Sequence, residues 1–444
     1  MSSFGRHLLS AAFAGALLAG SAAAQLLPSV SLPPVALPVP TGNVPIAGPV
    51  LQDVLGQPQA QQVIHPTLDS IAGLPESIAQ AGAPTLLELR RLRLQELIRD
   101  NRGQLEADGA GQPVRRGVLV AVDPDPVSLQ LAARAGFRII ADQADPQLGM
   151  RAVQLAVPNG MNAREGLKRL NRVAPQLQAD FDHLFEPAGG ALAPMNAGLA
   201  STAGAARGRT IGMIDGGVAS HPSLAGKSIE QNGFAGVPKP TGHGTAVASL
   251  LVGNQGPFRG AATGASLYVA DVYGGNRAAG SATAIVRALG WLAGHRPQVI
   301  NISLVGPPDK LVARAIQIVQ SRGIQVVAAV GNDGPAAPPQ YPASYPGVIA
   351  VTGVDARGRA LIEAGRATHL DFAAPGADMA AALPGRGYAR VRGTSFAAPL
   401  AAARLVLAGS PARLASEARS GKGRVGRGIV CGECRVDPRS VGVR

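Results

Sequence analysis

VINISLVGPPDKLVARAIQIVQSRGIQVVAAV, residues 299–330, holds a strand, a helix and a second strand in one short stretch. Val299 to Leu304 and Ile324 to Val330 are almost continuously apolar and rich in β-branched residues, the composition of strands covered on both faces. Between them Asp309 offers an N-cap. Leu311, Val312, Ala315, Ile316 and Val319 then repeat at helical spacing as far as Arg322, and Gly323 supplies the stop. Two strands joined through a helix run parallel, because only a long crossover returns the chain to the same end of the sheet. The alternation extends outward on both sides. Strands are expected at Thr210 to Ile214, Leu267 to Val272 and Val348 to Val354, and helices begin at Gly242, Ser281 and Thr394. The expectation for residues 209–430 is an α/β domain of three layers, a mostly parallel sheet with helices on both faces.

Upstream the pattern differs. Residues 117 to 185 read as strand (Gly117 to Val122), helix (Val127 to Ala135), strand (Phe137 to Ile140), strand (Ala152 to Val157), helix (Ala163 to Val173) and strand (Asp180 to Phe185), the order of a small ferredoxin-like α+β module. An Arg-rich helical pattern around Leu86 to Arg99 precedes it, so 85–187 is taken as helix plus module. Residues 188–208 are rich in Gly and Ala without a period and read as an exposed linker. Residues 25–84 form a spacer, Pro-rich between Leu26 and Val50 and expected to be largely disordered. Residues 1–24 join Arg6 to a short apolar run and end in Ser21-Ala22-Ala23-Ala24, the pattern of a cleaved export signal. That run is too short to span a bilayer, so a periplasmic or extracellular protein without a membrane span in its mature form is expected.

Composition narrows the function. The 444 residues carry a net charge of +13, yet the excess is spread along the chain. Its one dense patch, Arg413 to Arg444, sets eight basic residues against three acidic ones and reads as a solvated tail, residues 431–444 being the basic C-terminal tail. Aromatics at 3% leave little to stack on bases, so no nucleic-acid partner is expected. Cys431 and Cys434 are the only cysteines. With no further Cys or His nearby they fall short of a zinc site and fit a local disulfide.

Three sites join a reactive side chain to glycine. Ile214-Asp215-Gly216-Gly217 places a carboxylate at the carboxyl end of a strand, where open α/β sheets bind ligands. Gly242-His243-Gly244-Thr245 opens a helix with an imidazole that flanking glycines leave accessible. Gly393-Thr394-Ser395-Phe396-Ala397-Ala398-Pro399 starts a small-residue helix with a hydroxyl. Each alone is ordinary, since Asp215 could be a turn residue, His243 a structural histidine and Ser395 a cap. In the order Asp, His, Ser, spaced by 28 and 152 residues, they match one known arrangement for acyl transfer. At these motifs the sequence resembles the subtilisin-like serine proteases, the subtilases, from about Arg209 to Val430. Asn301-Ile302-Ser303-Leu304, Ala329-Val330-Gly331-Asn332-Asp333-Gly334, Tyr341-Pro342-Ala343-Ser344-Tyr345-Pro346 and Ala373-Ala374-Pro375-Gly376 extend the resemblance.

The resemblance implies a serine endopeptidase acting through an acyl-enzyme intermediate, on protein or peptide substrates, as a monomer. Ser395 would be the nucleophile, His243 its base, Asp215 the orienting group and Asn332 a side-chain oxyanion donor. Ser303, Leu304, Val305 and Gly306 would pair with the substrate backbone. Val305 stands where many relatives have glycine, so small side chains are expected before the scissile bond. The resemblance also makes the ferredoxin-like module a prodomain, an intramolecular inhibitor whose end, Phe185-Glu186-Pro187 or the linker beyond, lies in the cleft and is cut by the enzyme itself between about Glu186 and Arg207. No cofactor is required for the chemistry, and no metal ligands are assigned. Structural calcium is left open, since the loop Gly253 to Gly260 has no carboxylate. The competing expectation is a chain that keeps this fold as a binding or regulatory protein without turnover.

Overall fold

The computed structural model describes residues 83–189, 191–194, 206–385 and 387–443. The leader 1–24, nearly all of the spacer 25–84 and most of the linker 188–208 lie outside the described residues.

Helix α1 (Ala83–Asp100) leads into an antiparallel sheet of β1 (Leu105–Ala107), β2 (Pro113–Val122), β3 (Arg138–Asp145), β4 (Met150–Ala156) and β5 (Ala179–His183). β2 lies between β4 and β5, and β4 lies between β2 and β3. Helices α2 (Pro126–Arg134) and α3 (Ala163–Val173) complete the strand–helix–strand–strand–helix–strand order read from the sequence. Asn162 and Glu165 start α3 with a reciprocal capping box. Alternation along β2 divides its side chains. Leu119 and Ala121 face Leu170 of α3, whereas Val120 and Val122 join the core of the larger domain.

The larger domain is a seven-stranded parallel sheet in the order β17 (Phe372–Pro375), β16 (Ile349–Val354), β15 (Gln325–Ala329), β13 (Val299–Ile302), β8 (Thr210–Asp215), β12 (Ser266–Asp271) and β9 (Ile229–Gly233). Its two faces bury separate cores. Ile211 and Met213 of β8 with Val327 and Ala329 of β15 face α4 (Gly242–Val252) and α7 (Thr394–Ala408). The intervening Ile214, Val326 and Ala328 face α5 (Ala282–His295) and α6 (Lys310–Ser321). The three-layer α/β expectation therefore holds, and Asp309 caps α6 as expected through bonds from Leu311 N and Val312 N.

Short antiparallel elements that the sequence reading did not separate surround this sheet. β6 (Glu186–Pro187) pairs with β14 (Leu304–Val305), β10 (Asn254–Gln255) pairs with β11 (Phe258–Arg259), and β7 (Ala191–Pro194) adds to the hairpin of β18 (Met379–Ala382) and β19 (Tyr388–Arg392). The C-terminal segment, expected to be solvated, is docked instead. Cys431 and Cys434 form a disulfide. Val436 and Val443 are buried against Phe258 and Ala380, and Arg435 donates to the carbonyls of Ala377 and Asp355. Its valines and one guanidinium outweigh the basic composition because apolar burial and satisfied hydrogen bonds favour contact.

Candidate active site

Asp215 ends β8 fully buried and accepts a hydrogen bond from Gly216 N at 2.7 Å. Thr241 caps α4 through Gly244 N at 2.9 Å, which fixes His243 in the first turn. Gly244 is required there, since a Cβ would strike the Gly216 carbonyl. That close approach carries the imidazole to the strand end, where His243 Nδ1 lies 2.9 Å from both Asp215 oxygens. A carboxylate can only accept there, which favours the imidazole tautomer carrying its proton on Nδ1. Nε2 is buried and makes no hydrogen bond among the described residues.

Ser395 lies in the first turn of α7, after Gly393 at φ 144°, a conformation open to glycine. Its hydroxyl donates to the Gly189 carbonyl, and its own carbonyl accepts from Ser303 Oγ at 2.9 Å. The adjacent Phe396 ring packs 5.3 Å from the His243 ring, which brings the first turn of α7 against the first turn of α4. Asn332 is fixed by Thr394 N, which donates to its Oδ1 at 2.9 Å. Its Nδ2 consequently points the other way, donating to the carbonyls of Ala188 and, at 3.0 Å, Gly189.

All four residues expected to bind a peptide backbone line this cleft, and the chain's own residues 185–189 fill it. β6 runs antiparallel to β14 with Pro187 opposite Leu304 and Glu186 opposite Val305. Ala188 N donates to Ser303 O at 2.8 Å, and Phe185 N donates to Gly280 O at 2.7 Å. Tyr273 Oη donates to Phe185 O at 2.9 Å. Gly306 is the floor under Phe185, where a Cβ would lie 2.6 Å from the ring. Val305 and Ala188 are buried in one apolar cluster.

Two groups were missed by the sequence reading. Arg93 of α1 reaches Asp333 at 3.0 Å and Glu186 at 3.5 Å, and Arg90 reaches Asp333 at 2.9 Å. Their positions in α1 carry helical spacing but no sign of a partner some 240 residues away. On the module's far end, Asp180 accepts from Lys310 N at 3.1 Å and Asp182 from Thr283 N at 3.0 Å, setting carboxylates at the N-termini of α6 and α5. His183 Nδ1 lies 2.9 Å from Asp309. The side chains Asp180, His183 and Asp309 form the one His/carboxylate group among the described residues close enough to hold a metal ion, and their hydrogen bonds to one another and to backbone amides already occupy them. The loop Gly253 to Gly260 holds one charged residue, Arg259, whose guanidinium lies 2.5 Å from Asn254 Oδ1.

Residues 206–418 match the subtilase family model. Subtilisin Savinase of Lederbergia lenta is 34% identical over 194 residues, covering 43% of this chain and 71% of that protein. Subtilisin DY of Bacillus licheniformis is 34% identical over 221 residues, covering 47% of this chain and 80% of its own. Of the alkaline protease of Shouchella clausii, 34% identical over 194 residues (43% of this chain), the chain spans half the length. Among solved structures, fervidolysin of Fervidobacterium pennivorans, a keratinolytic enzyme related to subtilisin, superposes with a TM-score of 0.60 at 20% identity, over 72% of this chain and 61% of that one, a likeness of fold. The chain belongs to the subtilase family and is a serine endopeptidase.

Proposed function

We propose that this protein is an exported endopeptidase made as a self-processing zymogen, with Ser395 as nucleophile, His243 as its base and Asp215 as the orienting carboxylate. The observation that carries the reading is the strand Phe185–Gly189, laid along Ser303 to Val305 with its carbonyls at the Ser395 hydroxyl and the Asn332 amide. A peptide held in that way is held as a substrate is.

Two carbonyls lie at the site, those of Ala188 and Gly189, and the Ser395 hydroxyl rests on the second; the backbone pairing of Ala188 supports Ala188–Gly189 as the bond that is cut. Ala188 N–H is bonded to Ser303 O, and its carbonyl reaches Asn332. Ser395 Oγ attacks the Ala188 carbonyl carbon while its proton passes to His243 Nε2. Negative charge forms on the former carbonyl oxygen, where Asn332 Nδ2 and the Ser395 N–H at the start of α7 receive it. His243 then returns the proton to the Gly189 nitrogen as the C–N bond breaks, leaving Ala188 esterified to Ser395. Water completes the cycle by the same proton path. Asp215 stays ionised and stabilises the imidazolium.

The module acts as inhibitor because its hold does not depend on the cleft alone. Asp180, Asp182 and His183 bind the outer helices, so cutting one bond leaves those contacts in place. Export rests on the composition of residues 1–24. Among the described residues no helix is long and apolar enough to cross a membrane. Substrates with a small residue before the scissile bond and an aromatic three residues earlier follow from Ala188 and Phe185.

Expression of the full chain with Ser395→Ala tests the reading. The variant is expected to remain uncut and to lack casein hydrolysis, while the wild type yields a form beginning at Gly189 whose hydrolysis is blocked by a serine-directed phosphonate. Normal processing of Ser395→Ala would overturn it.

A further inference from the structure

On the far side of the proposed scissile bond, the chain does not leave the protein. Residues 191–194 form β7, which pairs antiparallel with β19, Ala191 opposite Arg392, Leu192 opposite Val391, Ala193 opposite Arg390 and Pro194 opposite Ala389. β19 is bordered by β18 on its other edge and ends three residues before Ser395, so any chain leaving the nucleophile in this direction runs along it. Once a cut segment departs, that edge presents unpaired backbone N–H and C=O groups, a template for another strand.

We propose that the open edge of β19 binds the part of a substrate that follows the scissile bond, and that Arg390 there selects an acidic residue at the fifth position after it. The inference rests on the reading of Ser395 and of the Ala188–Gly189 bond given above. In an antiparallel pair, residues directly opposite share a face and their charges interact. Arg390 and Arg392 lie two apart on one strand and therefore face the same side, but they are not equivalent. Arg392 is already neutralised, its Nε lying 2.8 Å from Glu363 Oε1 and its Nη2 2.8 Å from Oε2. Arg390 is exposed, its neighbour on β18 is Ala380, and it makes no ion pair among the described residues. Selection therefore falls on the residue opposite Arg390 and weakly on the one opposite Arg392. The protein's own segment has alanine at both positions, so a foreign chain with an acid in the fifth position binds this edge better than the segment it replaces.

The test uses quenched-fluorescence peptides built on Phe-Glu-Pro-Ala-Gly-Gly-Ala-Leu-Ala-Pro, the sequence of residues 185–194, with Glu, Ala or Lys at the ninth residue or at the seventh. Active enzyme prepared from the full chain is expected to show kcat/KM about two- to five-fold higher for Glu than for Ala at the ninth residue, with Lys below Ala and little spread at the seventh. The preference shrinks with added salt. Arg390→Gln should flatten the ninth-residue ranking and Arg390→Glu should reverse it. The ranking is a ratio within one preparation, so partial misfolding of a variant does not move it. Equal rates for Glu, Ala and Lys in the wild type, or a ranking that survives Arg390→Glu, overturn the proposal while the functional reading stands. Failure to cut the alanine peptide by wild type that is also inert on casein overturns the functional reading and this inference with it.

Discussion

Replacing His183 with Gln should destabilise the precursor in a way that depends on pH. The imidazole is buried, its side chain 5% exposed, between Asp309 at the start of α6 (2.9 Å) and Asp108 in the turn joining β1 and β2 (3.6 Å). Asp180 of the same strand completes the carboxylate group. From α6 the Lys310 ammonium is spent on the Ala179 carbonyl, and from the opposite side the Tyr345 hydroxyl accepts from Asp309 N. Burial alone would favour the neutral ring. The hydrogen bonds to Asp108 and Asp309 and the charges of Asp309 and Asp180 outweigh it and push the pKa up to about 10. A pKa raised above its unfolded value of about 6.5 contributes stability that is fully present below that value and is lost as pH rises toward the folded one. At about 1.4 kcal/mol per pH unit the full contribution is ~5 kcal/mol. Breaking a buried ion pair by removing one partner costs about 3–5 kcal/mol, an independent route to the same size. The assay is urea unfolding of the full-length Ser395→Ala precursor, with and without His183→Gln, from pH 6 to 10. The gap between the two should be about 3–5 kcal/mol at pH 6 and should narrow by about 1.4 kcal/mol per unit above pH 6.5. A gap of constant size across this range would refute the charged imidazole.

Three further outcomes follow from the cleft. Arg93→Ala leaves Glu186 without its guanidinium and Asp333 with Arg90 alone. The hold on residues 185–188 should weaken by about 1.5–3 kcal/mol, read as a shorter lag before caseinolytic activity appears, and an unchanged lag would count against the clamp. Asn332→Ala should slow self-cleavage by about 100- to 1,000-fold, the range known for the equivalent donor in subtilisin itself, as followed by loss of the precursor band. A fall of less than tenfold would remove Asn332 from the oxyanion site. Val305→Gly should enlarge the pocket next to Gly331, where the Val305 Cγ1 atom now lies 3.3 Å from the place of a Gly331 Cβ. Peptide profiling is expected to move from Ala toward larger residues before the cut, and persistence of the Ala preference would show that another wall sets the size.

What could be read from the sequence, and what could not, divides along the range of the interactions involved. β13, α6 and β15 were legible because each carries its own signal: unbroken β-branched runs for strands covered on both faces, and Asp309 with a five-residue apolar stripe for the helix. Asp215, His243 and Ser395 were legible because glycine must stand beside a side chain that another element approaches closely, and Gly244 and Gly393 leave that mark in the local sequence. The hairpin β18–β19 left none. Met379 to Ala382 is too small and uniform to show the alternation of a strand, and the third strand, β7, joins the hairpin through β19 from a distant part of the chain. The same holds for His183, whose ring nitrogens are satisfied by residues 75 positions before it and 126 after it, and for Arg90 and Arg93, which on sequence alone are two more charges on a basic helix. These illegible contacts join the module to the sheet domain, where each partner supplies half of an ion pair. A charge whose partner lies in another folding unit looks like surface in either unit taken separately. The candidate site was therefore marked by local sequence, while the contacts that hold residues 185–189 along it draw on the module and the sheet domain together.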